Sequence, residues 1–301
     1  NPFTLKGTAA AGISNFIFET LAARSMDEPF SQYGLIAKDI DLAEDGLSVT
    51  FTINEQATFS DGSKITAEDI LFSLQKLKSE ESHPFYQSYF QDISDAEILN
   101  DLKIRFNFAR KNRELHLIAC ELPVISKKYF SEHSFSEPSI DPPIGSGPYV
   151  IYKIIPGKAI TYKKNPDYWA KNHPTRKNMY NFETIHYKYY KDQLVSVEAF
   201  KAGDFDFMSV NIAKQWARDL VGQKFDSKQI IKEYLDHKNN AGMQCFVMNT
   251  RRDIFKDKKV RQAIGLAFDF EWINTTLFFS QYTQTHSFFS NSELAATGIP
   301  Q

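Results

Sequence analysis

The run Leu47-Ser48-Val49-Thr50-Phe51-Thr52-Ile53-Asn54-Glu55-Gln56-Ala57-Thr58-Phe59-Ser60-Asp61-Gly62-Ser63-Lys64-Ile65-Thr66-Ala67-Glu68-Asp69-Ile70 holds a strand, a turn and a helix start in one stretch. Leu47, Val49, Phe51 and Ile53 alternate with Ser48, Thr50 and Thr52, the period-two pattern of a strand with one buried face. Asp45-Gly46 ahead of it is a hairpin turn signal, and Asp61-Gly62 marks a second turn. Thr66-Ala67-Glu68-Asp69 reads as an N-cap with an acidic first turn, opening a helix through Leu71, Leu74 and Leu77.

The pattern extends in both directions. Ile13, Phe16, Ile17 and Leu21 share one helical face and predict a helix over 13–21. After the Asn100-Asp101 turn, Leu102, Ile104, Phe106 and Phe108 alternate as a strand. Residues 141–148, Asp-Pro-Pro-Ile-Gly-Ser-Gly-Pro, form the densest Pro/Gly cluster and read as a crossing between domains. A hairpin follows, 149–155 and 158–163 joined by Pro156-Gly157, then a strand at 185–189. Residues 193–202 read as a helix stopped by Gly203. Strands are expected at 205–207 and 244–248, then a helix with Val260, Ile264 and Ala267 on one face. Strands alternating with helices predict an α/β fold.

Composition bounds the function. At 301 residues the chain holds one or two folding units, on a scale of ~100–200 residues per domain. Apolar residues at 42% and charged residues at 24% describe a globular protein, and a net charge of −2 supplies no basic field for nucleic acid. The aromatic share of 14% is read mainly as core filling, with an aromatic-lined groove as the alternative. No run reaches the ~18–20 apolar residues of a membrane helix. The start at Asn1-Pro2-Phe3, without Met or a basic-then-apolar leader, is expected of a processed or trimmed chain. Cys120 and Cys245 each lie among apolar residues and are expected to be buried and inert.

Much enzymatic chemistry has no sequence signature here. The histidines include no i, i+4 pair, so HExxH and paired-His metal spacing are missing. Neither a phosphate-binding P-loop nor GxGxxG follows a strand, and Gly145-Ser146-Gly147 lacks the Gly-x-Ser-x-Gly form of a nucleophile elbow. No cofactor, metal or catalytic residue is assigned. A hydrolase with ordinary spacing stands as the alternative.

Five ordered landmarks resemble the bacterial solute-binding proteins that deliver peptides to ABC importers (solute-binding protein family 5). They are the strand–turn–helix run above, Gly147-Pro148-Tyr149, Asn165-Pro166-Asp167-Tyr168-Trp169, Lys201-Ala202-Gly203-Asp204-Phe205-Asp206, and residues 255–264, Phe-Lys-Asp-Lys-Lys-Val-Arg-Gln-Ala-Ile. Asn1-Pro2-Phe3-Thr4-Leu5-Lys6-Gly7, Met248-Asn249-Thr250-Arg251-Arg252, Phe268-Asp269-Phe270-Glu271-Trp272 and Ser290-Asn291-Ser292-Glu293-Leu294 are similar to the YejA-type branch, associated with oligopeptide import.

The resemblance implies a periplasmic-binding-protein-like lobe of type II, peptide-binding cluster, with mixed sheets and an inserted α+β domain II. Domain I would comprise 1–43 and 145–270, and domain II 44–144. Domain III would begin at 271–301, most of that second lobe lying outside this chain. It also implies a periplasmic receptor that closes two lobes on an oligopeptide or peptide conjugate and presents it to ABC importer permease subunits. A sensor or adhesin on the same fold is the further alternative. Matched by position, ligand contacts would come from Lys6, Gly7 and Thr8 of the first cleft loop and from Tyr89, with Tyr86 as the shifted alternative. Asn249, Thr250 and Asn274 complete the expected set. Lys6 would pair with a ligand carboxylate, and the acidic group for a ligand ammonium is expected outside this chain.

Overall fold

The computed structural model describes residues 1–26, 28, 30–237 and 240–298. Two compact units divide the chain, 1–189 and 190 onward. In the first, helices α1 (Ile13–Phe16), α2 (Ala67–Lys78), α3 (Pro84–Tyr89), α4 (Leu115–Cys120) and α5 (Lys127–Glu132) surround three sheets. The strands are β1 (Ala22–Arg24), β2 (Gln32–Gly34), β3 (Ala37–Leu42), β4 (Ser48–Ile53), β5 (Ile93–Asn100), β6 (Lys103–Phe108), β7 (Tyr149–Ile155), β8 (Ala159–Lys164) and β9 (Thr184–Lys188). They pair as β1-β2, β3-β4-β6-β5 and β7-β8-β9, each described pair antiparallel.

The alternation decides which face of the four-stranded sheet is buried. Val49, Phe51 and Ile53 of β4 and Ile104, Phe106 and Phe108 of β6 enter one core with Ile70, Leu74 and Leu77 of α2. Phe51 stands opposite Ile104 in the ladder and meets Phe106 edge-on at 5.4 Å. At the start of α2 the Asp69 carboxylate accepts from the Thr66 amide at 3.0 Å, and its other oxygen accepts from the Lys127 amide at 3.0 Å. One buried acid thereby caps α2 and fixes the entry to α5. Gly46, Gly62 and Gly157 take the left-handed conformation that the Asp45-Gly46, Asp61-Gly62 and Pro156-Gly157 turns require.

The helix expected over 13–21 is only the single turn α1. The carbonyl of Ile17 accepts from the Gly147 amide at 2.9 Å instead of continuing a helical ladder, and the Leu21 amide donates to Leu122. A Cβ on Gly145 would stand 2.0 Å from the Ile17 carbonyl oxygen, and one on Gly147 2.3 Å from that of Phe16. The Pro/Gly segment is thus a close backbone seam against residues 16–19, and Ser60 joins it through the Gly145 carbonyl at 2.8 Å. Beside the seam the buried Glu19 carboxylate takes a two-pronged bond from Arg176, 2.7 Å from Nη2 and 3.0 Å from Nε, and also accepts from the Tyr168 hydroxyl. Burial first, then the Glu19 charge, pushes the Tyr168 phenol far up, so it stays a donor.

The second unit carries α6 (Gln193–Ala202), a single π-turn at Gln215–Asp219, α7 (Gln223–Asp226), α8 (Asp253–Lys256), α9 (Lys258–Leu266) and α10 (Phe270–Leu277). Asp192 caps α6 through the Val195 amide at 2.9 Å, and Gly203 ends it at φ 89°. Residues 205–207 and 244–248 form no strand, contrary to the alternation, because no described segment pairs with them. Cys245 is accordingly exposed, correcting the expectation that both thiols are buried, whereas Cys120 is buried. Among the described residues of this unit only Val197, Ala213 and Leu220 are buried apolar side chains, and the Ile264 face of α9 is exposed. No described helix is long and apolar enough to cross a membrane.

Two outcomes follow. Arg176→Leu leaves Glu19 buried without its cation and lowers stability by about 3–5 kcal/mol, read from denaturant melts; Glu19→Leu in the same chain restores much of the loss. His173 is held below its ordinary value, 6.5, by burial and then by Arg176. Its contribution is therefore complete above about pH 6.5 and is lost as pH falls through the lower folded-state value. His173→Gln flattens that acid-side decline in a stability–pH series.

Candidate ligand-binding site

The N-terminal loop is held from both sides. Phe3 is buried against Phe18 at 5.0 Å and Tyr86 at 5.6 Å, and its carbonyl accepts from the His83 amide at 2.8 Å and Ser82 Oγ at 3.0 Å. The Asn1 side chain donates to the Phe135 carbonyl at 2.6 Å. Residues 5–8, exposed, project from this anchor. The Lys6 ammonium pairs with Glu137, both more than half exposed. Gly7 adopts φ 78°, where a Cβ would stand 3.4 Å from Pro138. Thr8 lines a cavity of about 770 Å³ that Glu137, Pro138, Tyr129, His133 and Tyr189 also line. Of the three, Thr8 lines this cavity, while Lys6 and Gly7 lie against its lining residues Glu137 and Pro138.

Tyr89 lies elsewhere in the same unit. His83 Nδ1 caps α3 by accepting from the Phe85 amide at 3.0 Å, and Pro84 starts the helix. The Tyr89 hydroxyl donates to Glu121 Oε2 at 2.6 Å, while Gln32 Nε2 donates to Glu121 Oε1 at 3.2 Å and to the Leu117 carbonyl at 3.2 Å. Burial first, then the Glu121 hydrogen bond and charge, raise the Tyr89 phenol well above its ordinary value, so it remains a donor. Phe85, exposed, stacks on the Tyr89 ring at 5.4 Å. Tyr86 instead packs between Phe3 and Phe90.

The other expected residues belong to the second unit. Asn249 Oδ1 accepts from the Arg251 amide at 3.1 Å and its carbonyl from the Arg252 amide at 3.0 Å, so it closes a turn that also holds exposed Thr250. Asn274 of α10 donates to the Tyr282 carbonyl at 2.7 Å and accepts from the Tyr282 amide at 3.2 Å. These asparagines make local bonds of the kind that order loops. Glu121 and Gln32 were not anticipated. Glu121 is the C-cap of α4, where hydropathy has no period to show it, and Gln32 sits in a three-residue strand. Burial, and secondarily Glu121, push the Cys120 thiol up to about 12, which keeps it protonated and unreactive. Among the described residues no group of three or more His, Cys, Asp and Glu is placed to hold a metal ion.

With this geometry in view, the relatives fix the class. The family model of bacterial extracellular solute-binding proteins, family 5 (middle region), matches residues 32–301, and the chain belongs to that family, one of solute-binding proteins rather than enzymes. It is 39% identical over 300 residues to the uncharacterized protein YejA of Escherichia coli K12, covering 100% of this chain and 49% of that protein. It is 35% identical over 314 residues to the peptidoglycan-binding protein YepA of Agrobacterium fabrum, covering 99% of this chain and 51% of the relative. In fold it is similar to the oligopeptide-binding protein AppA of Bacillus subtilis, solved with a nonapeptide. The TM-score is 0.69 at 21% identity, over 99% of this chain and 57% of AppA. The chain spans about half the length of the curated relatives it matches.

The exposed Lys6–Glu137 pair predicts a clean variant. Lys6→Met changes stability by less than about 1 kcal/mol. Thermal melts check this, and a larger loss would show that the pair anchors the loop.

Proposed function

We propose that the full-length protein is an extracytoplasmic, periplasmic receptor that captures oligopeptides or peptide-like compounds and delivers them to the permease subunits of an ABC importer. The family membership over residues 32–301 carries this reading. The peptide held by AppA and the peptidoglycan binding of YepA support the ligand class. In this reading residues 1–43 and 145–270 form domain I, 44–144 domain II, and 271–301 the start of domain III.

An extended peptide presents backbone amides, carbonyls and charged ends, and burying these without partners costs several kcal/mol. The Lys6-Gly7-Thr8 loop supplies an ammonium, a backbone amide and a hydroxyl on an exposed segment. Tyr89 supplies a phenol whose partner is already fixed. Asn249, Thr250 and Asn274 complete the proposed contacts; for the two asparagines, ligand binding would exchange local bonds for ligand bonds. Ligand then stabilises a closed form of the two lobes, which is the form presented to the permease.

The test uses the full-length protein and a mixed peptide pool, with bound and free fractions read by mass spectrometry. Intact peptides retained on the protein are the expected result. Cleaved products with no retained peptide would overturn the receptor reading in favour of a hydrolase.

A further inference from the structure

Four carboxylates in the first unit are buried or half-buried, and three have evident compensation; half-buried Asp92 pairs with Arg110. Glu19 has Arg176. Asp69 lies in the first turn of α2 and accepts from two backbone amides. Glu121 has neither. It stands at the C-cap of α4, the end of a helix that disfavours negative charge, and among the described residues accepts only from the neutral Tyr89 hydroxyl and Gln32 amide. Among the described residues no Lys, Arg or His nitrogen lies within 4.0 Å of it.

The arrangement keeps Glu121 in place at some cost. Gln32 turns its Nε2 to Glu121 and the Leu117 carbonyl, while its own Oε1 is buried without a hydrogen-bond partner. Tyr89 occupies one carboxylate oxygen and Gln32 the other, leaving roughly two of about four acceptor positions unused. Beside them lies the exposed Phe85 ring, stacked on Tyr89. A carboxylate with spare acceptors next to aromatic faces is the environment that an ammonium seeks, since it gains charge-assisted hydrogen bonds and cation–π contact together. Arg24, paired with Gln32 across β1-β2, and Glu114 are the charges whose fields reach Tyr89, and half-buried His116 lies on α4.

We infer that Glu121, oriented by Tyr89 and Gln32, receives a primary ammonium group of the ligand and selects for ligands that carry one. This rests on the proposed reading that the Tyr89 wall faces ligand, and it places an ammonium anchor within this chain. The ammonium can belong to a peptide amino terminus or to a lysine-type side chain.

The test compares full-length wild type, Glu121→Gln and Tyr89→Phe with one tripeptide pool in four forms: unmodified, acetylated at the amino terminus only, acetylated at side-chain amines only, and acetylated at both. Wild type should retain the unmodified pool about 10-fold or more over the fully acetylated one, and Glu121→Gln should erase that ratio. Whichever single acetylation removes retention identifies the ammonium as terminal or side-chain. Tyr89→Phe, which keeps the carboxylate and loses its donor, should bind more weakly yet keep the preference for free amines. That variant carries the test if Glu121→Gln does not fold, and loss of the preference in it would count against the inference. Equal retention of all forms by wild type, or an unchanged ratio in folded Glu121→Gln, would overturn the inference and leave the peptide-receptor reading standing. Retention of none would overturn both.

Discussion

The approach of residues 145–147 to the carbonyls of Phe16 and Ile17 is so close that no side chain fits between them. Around this contact the first unit is organised. The Gly147 amide ties to Ile17, the Gly145 carbonyl receives Ser60, Ser146 Oγ receives the Glu19 amide at 3.3 Å, and the Ser146 carbonyl receives the Trp169 indole at 3.1 Å. Three separated stretches of chain, around residues 17–19, 60 and 169, thereby converge on three residues. Glu19, fixed by the seam, is where Arg176 and Tyr168 attach the region beyond β8. A methyl group at either glycine would force apart backbones that carry these bonds.

The local elements were legible wherever one rule dominated. Alternation placed β4 and β6, the Thr66 cap placed α2, and the helix expected over 193–202 with its stop at Gly203 matches α6. The reading failed where a long-range partner decided the outcome. Residues 13–21 carry a helical period, yet Gly147 and Leu122 take their backbone groups after a single turn. Residues 244–248 have strand composition, but a strand exists only against a neighbour, and Phe246 and Val247 are left exposed. The same absence of a neighbour exposes Cys245.

The proposed site was read in a different way. Family resemblance supplied Tyr89, Lys6 and the asparagines as positions, while their partners came only from the fold. The phenol of Tyr89 is a general donor until Glu121, thirty-two positions later in sequence, gives it a fixed acceptor. Nothing in Cys120-Glu121-Leu122-Pro123 distinguishes that glutamate from a solvated one, because its setting depends on a strand, two helices and a side-chain amide meeting in space. In the proposed site Tyr89 and Gln32 are already held, so a ligand there need not order them itself.

The seam has a consequence for the order of folding. Ile17 and Gly147 lie far apart along the chain, and bringing distant residues together from an open coil carries a loop-closure cost that rises with the separation. The four-stranded sheet β3-β4-β6-β5 occupies the interval, and two of its three pairings, β3-β4 and β5-β6, join consecutive strands. Once that sheet has collapsed, the ends flanking it are brought within a short effective tether. The sheet thus acts as a spacer that shortens the closure the glycines must make on Phe16 and Ile17.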